Sequence, residues 1–161
     1  RAKKRVFAEK MIMEYSAVNN TNYVILRVPG IYGLGRLPLS KIREREPLVI
    51  KDECKITNLI NVEDLARVVW RVIKDNIKNE IINVSDGTPI TSTEYYLKIY
   101  DELEIEYPPF IKMKEAGKYY SEERMSFMSE SRILDVTKMN RLFGDCIKYS
   151  NISDGIKRSL S

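Results

Sequence analysis

Tyr23-Val24-Ile25-Leu26-Arg27-Val28-Pro29-Gly30-Ile31-Tyr32-Gly33-Leu34-Gly35-Arg36 decides how this chain is read. Residues 23–28 form a short, nearly continuous apolar block rich in β-branched side chains, the pattern of a strand buried on both faces of a parallel sheet. Arg27 is its one polar member. Pro29 cannot donate to a strand ladder, and Gly30 can take backbone angles closed to other residues, so the strand is expected to stop there and splay into a loop. In an open α/β sheet the ligand crevice lies just outside the carboxyl ends of the strands, which is where such a loop would sit.

Upstream, Val6, Phe7, Met11, Ile12, Tyr15 and Val18 recur at helical spacing between Ala2 and Asn19, and Asn19-Asn20-Thr21-Asn22 closes the segment as a turn. Helix then strand is the end of a βαβ arrangement that lacks its preceding strand. Downstream, Pro38 and Ser40 suit a helix start in 37–46. Residues 47–50 and 55–60 read as two short strands around the polar turn 51–54. Asp64 precedes an apolar helical face of Leu65, Ala66, Val68, Val69, Val72 and Ile73, where the helix dipole favours a carboxylate in a capping, orienting role. Residues 80–85 read as another buried-type strand, turned by Asp86-Gly87. Ser92-Thr93-Glu94 then cap a helix whose Tyr95, Tyr96, Ile99, Tyr100 and Leu103 suit core or interface packing. Glu104 to Glu123, with Pro108-Pro109 and mixed charge, is the least ordered part by composition. Gly144 suits a helix C-cap, and Ile156 and Leu160 share one face of a short terminal helix over 152–160.

The 161 residues are enough for one domain with a sizeable core, and 43% hydrophobic with 31% charged residues is ordinary for a soluble globular protein. No apolar run approaches the length of a membrane span, and no secretory signal is visible. The net charge of +4 is dispersed among alternating Lys and Glu, which argues against nucleic acid as a partner. With two cysteines and no histidine, a His-based metal site and a Ser-His or Cys-His nucleophile are excluded within the chain. Cys54 and Cys146 are expected to be reduced thiols of a cytosolic protein, with pairing left open. The chain opens at Arg1 rather than Met, so a processed product or a fragment is expected.

Arg27-Val28-Pro29-Gly30-Ile31-Tyr32-Gly33, then Ile60-Asn61-Val62-Glu63-Asp64-Leu65-Ala66, then Asn83-Val84-Ser85-Asp86-Gly87 resemble, in order, the second half of an extended short-chain dehydrogenase/reductase. The likeness is to the NAD-dependent epimerase/dehydratase group, and within it to oxidoreductases with an RxPGIYGxGR loop. It implies an α/β fold, the C-terminal portion of a Rossmann-like doubly wound sheet with a small α+β substrate lobe. Residues 1–161 would be one domain, with 1–35 and 56–86 as sheet and helix core and 36–55 and 87–161 as substrate-lobe elements. Val28, Pro29, Gly30 and Ile31 would line the nicotinamide of NAD or NADP, and Tyr32 and Arg36 would lie near substrate or phosphate. The substrate would be a sugar or another small carbonyl or hydroxyl compound. A cytoplasmic protein, with a homo-oligomer as an option and neither nucleic acid nor membrane as partner, completes the expectation.

Three departures qualify the resemblance. Counting back from Glu9, the family's Tyr-x-x-x-Lys falls on Arg1 and Arg5, and arginine stays protonated near neutral pH, so neither can act as the family's acid/base. Where sugar-nucleotide epimerases place a diphosphate-gripping arginine and a loop asparagine, this chain has Thr57 and Gly30, which removes support for a nucleotide-sugar substrate. No Gly-x-Gly-x-x-Gly lies between a strand and a helix, so the adenine half of a dinucleotide site is absent. Three readings result: an incomplete oxidoreductase/epimerase/dehydratase-like chain, which is favoured; a non-catalytic dinucleotide-binding relative; and an interaction module presenting Tyr95, Tyr96, Ile99 and Tyr100.

Overall fold

The computed structural model describes residues 2–128 and 130–161. Helix α1 (Ala2–Asn19) ends where Asn20 takes φ 51°, and the chain turns into β1 (Val24–Arg27), close to the extent expected from the sequence. The strand stops before Pro29 as expected, but the next residues do not form a plain loop. Gly30–Tyr32 is a second strand, β2, running parallel to β5 (Leu59–Asn61), with Gly30 opposite Leu59 and Tyr32 opposite Asn61. Gly30 suits that approach because a Cβ there would come within 2.8 Å of a Leu59 methyl.

Between these strands lie α2 (Leu39–Arg43), β3 (Leu48–Val49), a 3-10 turn at Lys51–Glu53 and β4 (Ile56–Thr57). Helix α3 (Val62–Lys74) is capped by Asn61, whose side chain accepts the Glu63 N–H. It leads to β6 (Glu80–Asn83), parallel to β1 with Val24 opposite Glu80. Then come β7 (Ile90–Thr91), antiparallel to β4, and α4 (Ser92–Glu102). Thr91 and Glu94 close a reciprocal capping box at the start of α4, one residue earlier than the Ser92 that the sequence suggests.

The segment 104–123 is more regular than its composition implies. It contains β8 (Phe110–Ile111), parallel to β3, and a 3-10 stretch over Met113–Lys118, succeeded by α5 (Glu122–Met128). Residues 131–136 run without a strand into α6 (Thr137–Phe143). Gly144 comes directly after α6 but does not reverse the backbone: its φ of −57° continues the turn into a 3-10 stretch ending at Cys146. Helix α7 (Ile152–Leu160) closes the chain, capped by Asn151.

Three apolar clusters hold these elements. Ile60, Val68, Ile82, Val84, Met139, Phe143 and Cys146 pack around the β1–β6 pair. Tyr32, Ile42, Leu48, Leu59, Ile90, Tyr95, Ile99, Tyr100, Ile152 and Ile156 join β2, α4 and α7. Val49, Ala116, Tyr120 and Met128 form a third. Tyr95, Ile99 and Tyr100 therefore serve the core rather than a free face. The apolar set of α1 does the opposite: Val6, Phe7, Met11, Ile12, Tyr15 and Val18 are all exposed. Among the described residues no helix is long and apolar enough to cross a membrane.

Candidate functional site

The carboxyl ends of β1 and β6 meet the start of β5, and backbone groups make the junction. The Arg27 carbonyl accepts the Val84 N–H at 3.0 Å, carrying the parallel ladder one residue past β6. The Leu59 carbonyl accepts both the Asp86 N–H, at 2.9 Å, and the Ser85 hydroxyl, at 3.0 Å. Asn58, 8% exposed, adds three bonds: its backbone carbonyl takes the Gly30 N–H, its side-chain oxygen takes the Leu134 N–H, and its amide donates to the Arg132 carbonyl. It thus staples residues 132–134 beside the Val28–Gly30 segment. The sequence pattern does not point to Asn58; a polar residue between the short apolar runs at 56–57 and 59–60 is its only signal.

Each predicted site residue has a definite place. Val28 and Ile31 are half-buried and pack against the β1–β6 cluster. Pro29 and Gly30 are half-buried between them. Tyr32 is only 1% exposed, its ring edge-on to Tyr95 at 5.9 Å between centroids. Burial, reinforced by the charge of Asp86, raises the Tyr32 phenol well above its ordinary range. Arg36 is exposed on the turn Gly33–Arg36, closed by a 2.9 Å bond from its N–H to the Gly33 carbonyl. That turn requires its glycines: Gly33 has φ +146° and no room for a Cβ beside Val62, and Gly35 has φ +70°.

Arg1 lies outside the described residues. Arg5 is exposed on α1, and Glu9, one turn on, is engaged by Arg27, whose guanidinium holds the Glu9 carboxyl below its usual range. Thr57 lies in β4, with Ile90 of β7 opposite it. Asp64 is fully buried. It takes the Arg67 guanidinium and the N–H groups of Lys148, at 2.9 Å, and Tyr149, at 3.0 Å, so its orienting role is to hold the segment before α7 onto α3.

Two shallow hollows lie elsewhere. One, of 320 Å³, is lined by Tyr100, Asp101, Glu104, Ile105, Glu106 and Tyr107; the other, of 240 Å³, by Leu39, Ile42, Arg43, Leu103 and Ile105. Neither touches residues 28–36. Both cysteines are free, and no cluster of metal-ligating side chains occurs among the described residues.

The arrangement is similar to several solved structures. A functionally unknown conserved protein from Silicibacter pomeroyi superposes with a TM-score of 0.80 at 25% identity, over 92% of this chain and 52% of its own. A human epimerase family protein, solved with NADPH, superposes with a TM-score of 0.69 at 14% identity, over 85% of this chain and 48% of its own. The UDP-glucuronic acid 4-epimerase from Bacillus cereus, solved with UDP-glucuronic acid and NAD, gives 0.67 at 20% identity, over 94% and 48%. The fold is therefore the Rossmann-like α/β fold of these epimerase and short-chain dehydrogenase proteins, as the resemblance implied. The chain spans about half the length of each. No family profile matches it, and no curated protein does.

Proposed function

We propose that the chain forms the nicotinamide-side, substrate-bearing half of an NAD(P)-dependent oxidoreductase of the epimerase/dehydratase kind, acting on a small carbonyl or hydroxyl compound. The observation that carries the reading is the position of Val28–Ile31 at the carboxyl ends of the parallel β1–β6 pair, in a fold shared with proteins solved with NADPH and with NAD. Val28 and Ile31 offer the apolar surface that suits the flat face of a nicotinamide ring, so these residues fit that end of a dinucleotide. Nothing among the described residues fits the adenosine or the diphosphate, because the glycine-rich turn between strand and helix is not in this sequence. When bound, a nicotinamide would supply hydride transfer.

The chain's own residues bind and orient. Arg36, exposed on its glycine turn, is the cation available to an anionic substrate group, and buried Tyr32 sets the height of that turn. Residues 1–35 and 56–86 serve as the dinucleotide-side core, with 36–55 and 87–161 as the substrate lobe; the separate cluster of Val49, Ala116, Tyr120 and Met128 supports the lobe. A cytoplasmic location, with a homo-oligomer as an option, is part of the same reading.

The test is thermal melting with about millimolar NAD, NADH, NADP or NADPH, on this chain and on the chain joined to whatever coding sequence precedes it, since binding to the folded state alone raises the melting temperature. The expected result is selective protection of the longer chain, reduced by Val28→Asp. No protection by any of the four overturns the proposal. Protection without turnover on a panel of carbonyl and hydroxyl substrates would identify a non-catalytic relative instead.

A further inference from the structure

Among the described residues, Asp86 is a buried carboxylate without a paired cation. It is 7% exposed; Oδ1 accepts the Thr88 N–H at 2.9 Å, and Oδ2 is buried without a hydrogen bond. The Tyr32 hydroxyl is buried as well, with the Asn61 side chain as its polar neighbour. Both connect to α7. The Tyr32 ring lies so close to Gly155 that a Cβ there would overlap its hydroxyl and approach two ring carbons at 2.9 and 3.0 Å. Thr88, which caps Asp86, donates its own hydroxyl to the Ser150 carbonyl at 3.0 Å, one residue before the Asn151 cap of α7.

The groups that act on this pair are few. From β2, Tyr32 faces Asp86; from β5, the Asn61 side chain acts on the Tyr32 hydroxyl; from α3, Asp64 adds a like charge; from the segment before α7, Tyr149 acts on Tyr32. The guanidinium of Arg67 on α3 is committed to Asp64. Burial is the main cause that lifts the Asp86 carboxyl to about 7, with Asp64 adding to it and the Thr88 N–H opposing it.

We propose that Asp86 is a proton-operated latch on the terminal helix: protonated, it stays enclosed with Tyr32 under a docked α7; ionised, it favours a state in which α7 lifts away and water reaches the carboxylate. The sign comes from linkage. A carboxyl whose pKa is higher in the docked than in the open state loses docking stability as pH rises from about 4 through about 7, by up to ten-fold in the opening equilibrium per pH unit, and levels off above. Helix α7 packs through Ile152, Gly155, Ile156 and Ser159, and Lys98 and Glu63 reach its Ser153 and Arg158 at the exposed side.

Native-state amide exchange between pH 5 and 8, corrected for intrinsic rates, tests this together with a carbon-13 titration of the Asp86 carboxyl. The expected result is a carboxyl midpoint near 7, with α7 amides less protected than those of β6 and losing protection about ten-fold per unit from pH 5 to 7. Asp86→Asn, which keeps an acceptor for the Thr88 N–H, should remove the slope. A carboxyl that titrates below pH 5 overturns the proposal without recourse to any variant. So does one protection factor shared by α7 and β6 at every pH, which would mean opening of the whole molecule.

Discussion

Arg27, the single charged residue of β1, reaches Glu9 on α1 with a two-pronged ion pair, Nε to Oε1 at 2.8 Å and Nη2 to Oε2 at 2.6 Å. Apart from Glu9, which is half-buried, and Ser16, which donates to the Thr21 carbonyl, the residues of α1 from Lys3 to Asn19 are exposed. The pair is thus one of the few ties between this helix and the strand. Because it lies near the surface, Glu9→Gln should cost about 1 kcal/mol or less in global stability. The same variant should raise amide exchange in α1 several-fold while leaving β6 unchanged. Equal changes in both elements would show that α1 does not depend on the pair.

Gly33 and Gly35 test the turn that carries Arg36. Gly33→Ala meets both a left-handed backbone angle and the Val62 side chain, whereas Gly35→Ala meets only the angle, in open space. Urea denaturation should therefore rank Gly33→Ala as the more destabilising, by about 1–3 kcal/mol against about 1 for Gly35→Ala. Equal costs would mean that the approach of Val62 is unimportant.

Asp64→Asn removes a buried charge from Arg67 and sets an amide against two backbone N–H donors. The expected cost is about 3 kcal/mol in chemical denaturation, with loosening concentrated at residues 147–150. A change below about 1 kcal/mol would refute the assignment of Asp64 as the anchor of that segment.

Glu94 contributes to the acid side. Its carboxyl is lowered to about 2 by Lys51 first and then by the Thr91 N–H of the capping box. A depressed carboxyl contributes stability that is complete above its unfolded value and lost as pH falls, so the window runs from about 4.5 down to about 2. Glu94→Gln should flatten that part of the stability profile and leave the neutral region alone. An unchanged acid limb in the variant would assign the limb to other carboxylates.

The long elements are legible in the sequence because their patterns are local. The apolar block at 23–28 and the spacing behind Asp64 identify β1 and α3 within a residue or two. The strand at Gly30–Tyr32 is not legible: three residues carry no period, and Pro29-Gly30 reads as a stop. The partners of the short strands are also hidden, since Leu48–Val49 finds Phe110–Ile111 only through the folded lobe. At the site, Gly33 and Gly35 declare a turn before Arg36. Asn58 and Asp86 do not declare themselves, because their roles come from burial and from groups distant in the chain. The helical spacing of α1 marks a helix, yet spacing alone does not reveal that its apolar side chains remain exposed.

The strand pairings have a consequence for how the molecule is made. Val24 pairs with Glu80, Gly30 with Leu59, Leu48 with Phe110 and Ile56 with Thr91, so none of these pairs is a hairpin. Among the described residues no sheet joins strands adjacent in the chain, and β1 is synthesised long before the β6 that receives it. Folding must close large loops before strand pairing rewards them, while the helices form from local contacts. Until β6 is made, the Tyr23–Val28 segment lacks that partner, and its apolar face waits on residues from beyond α3.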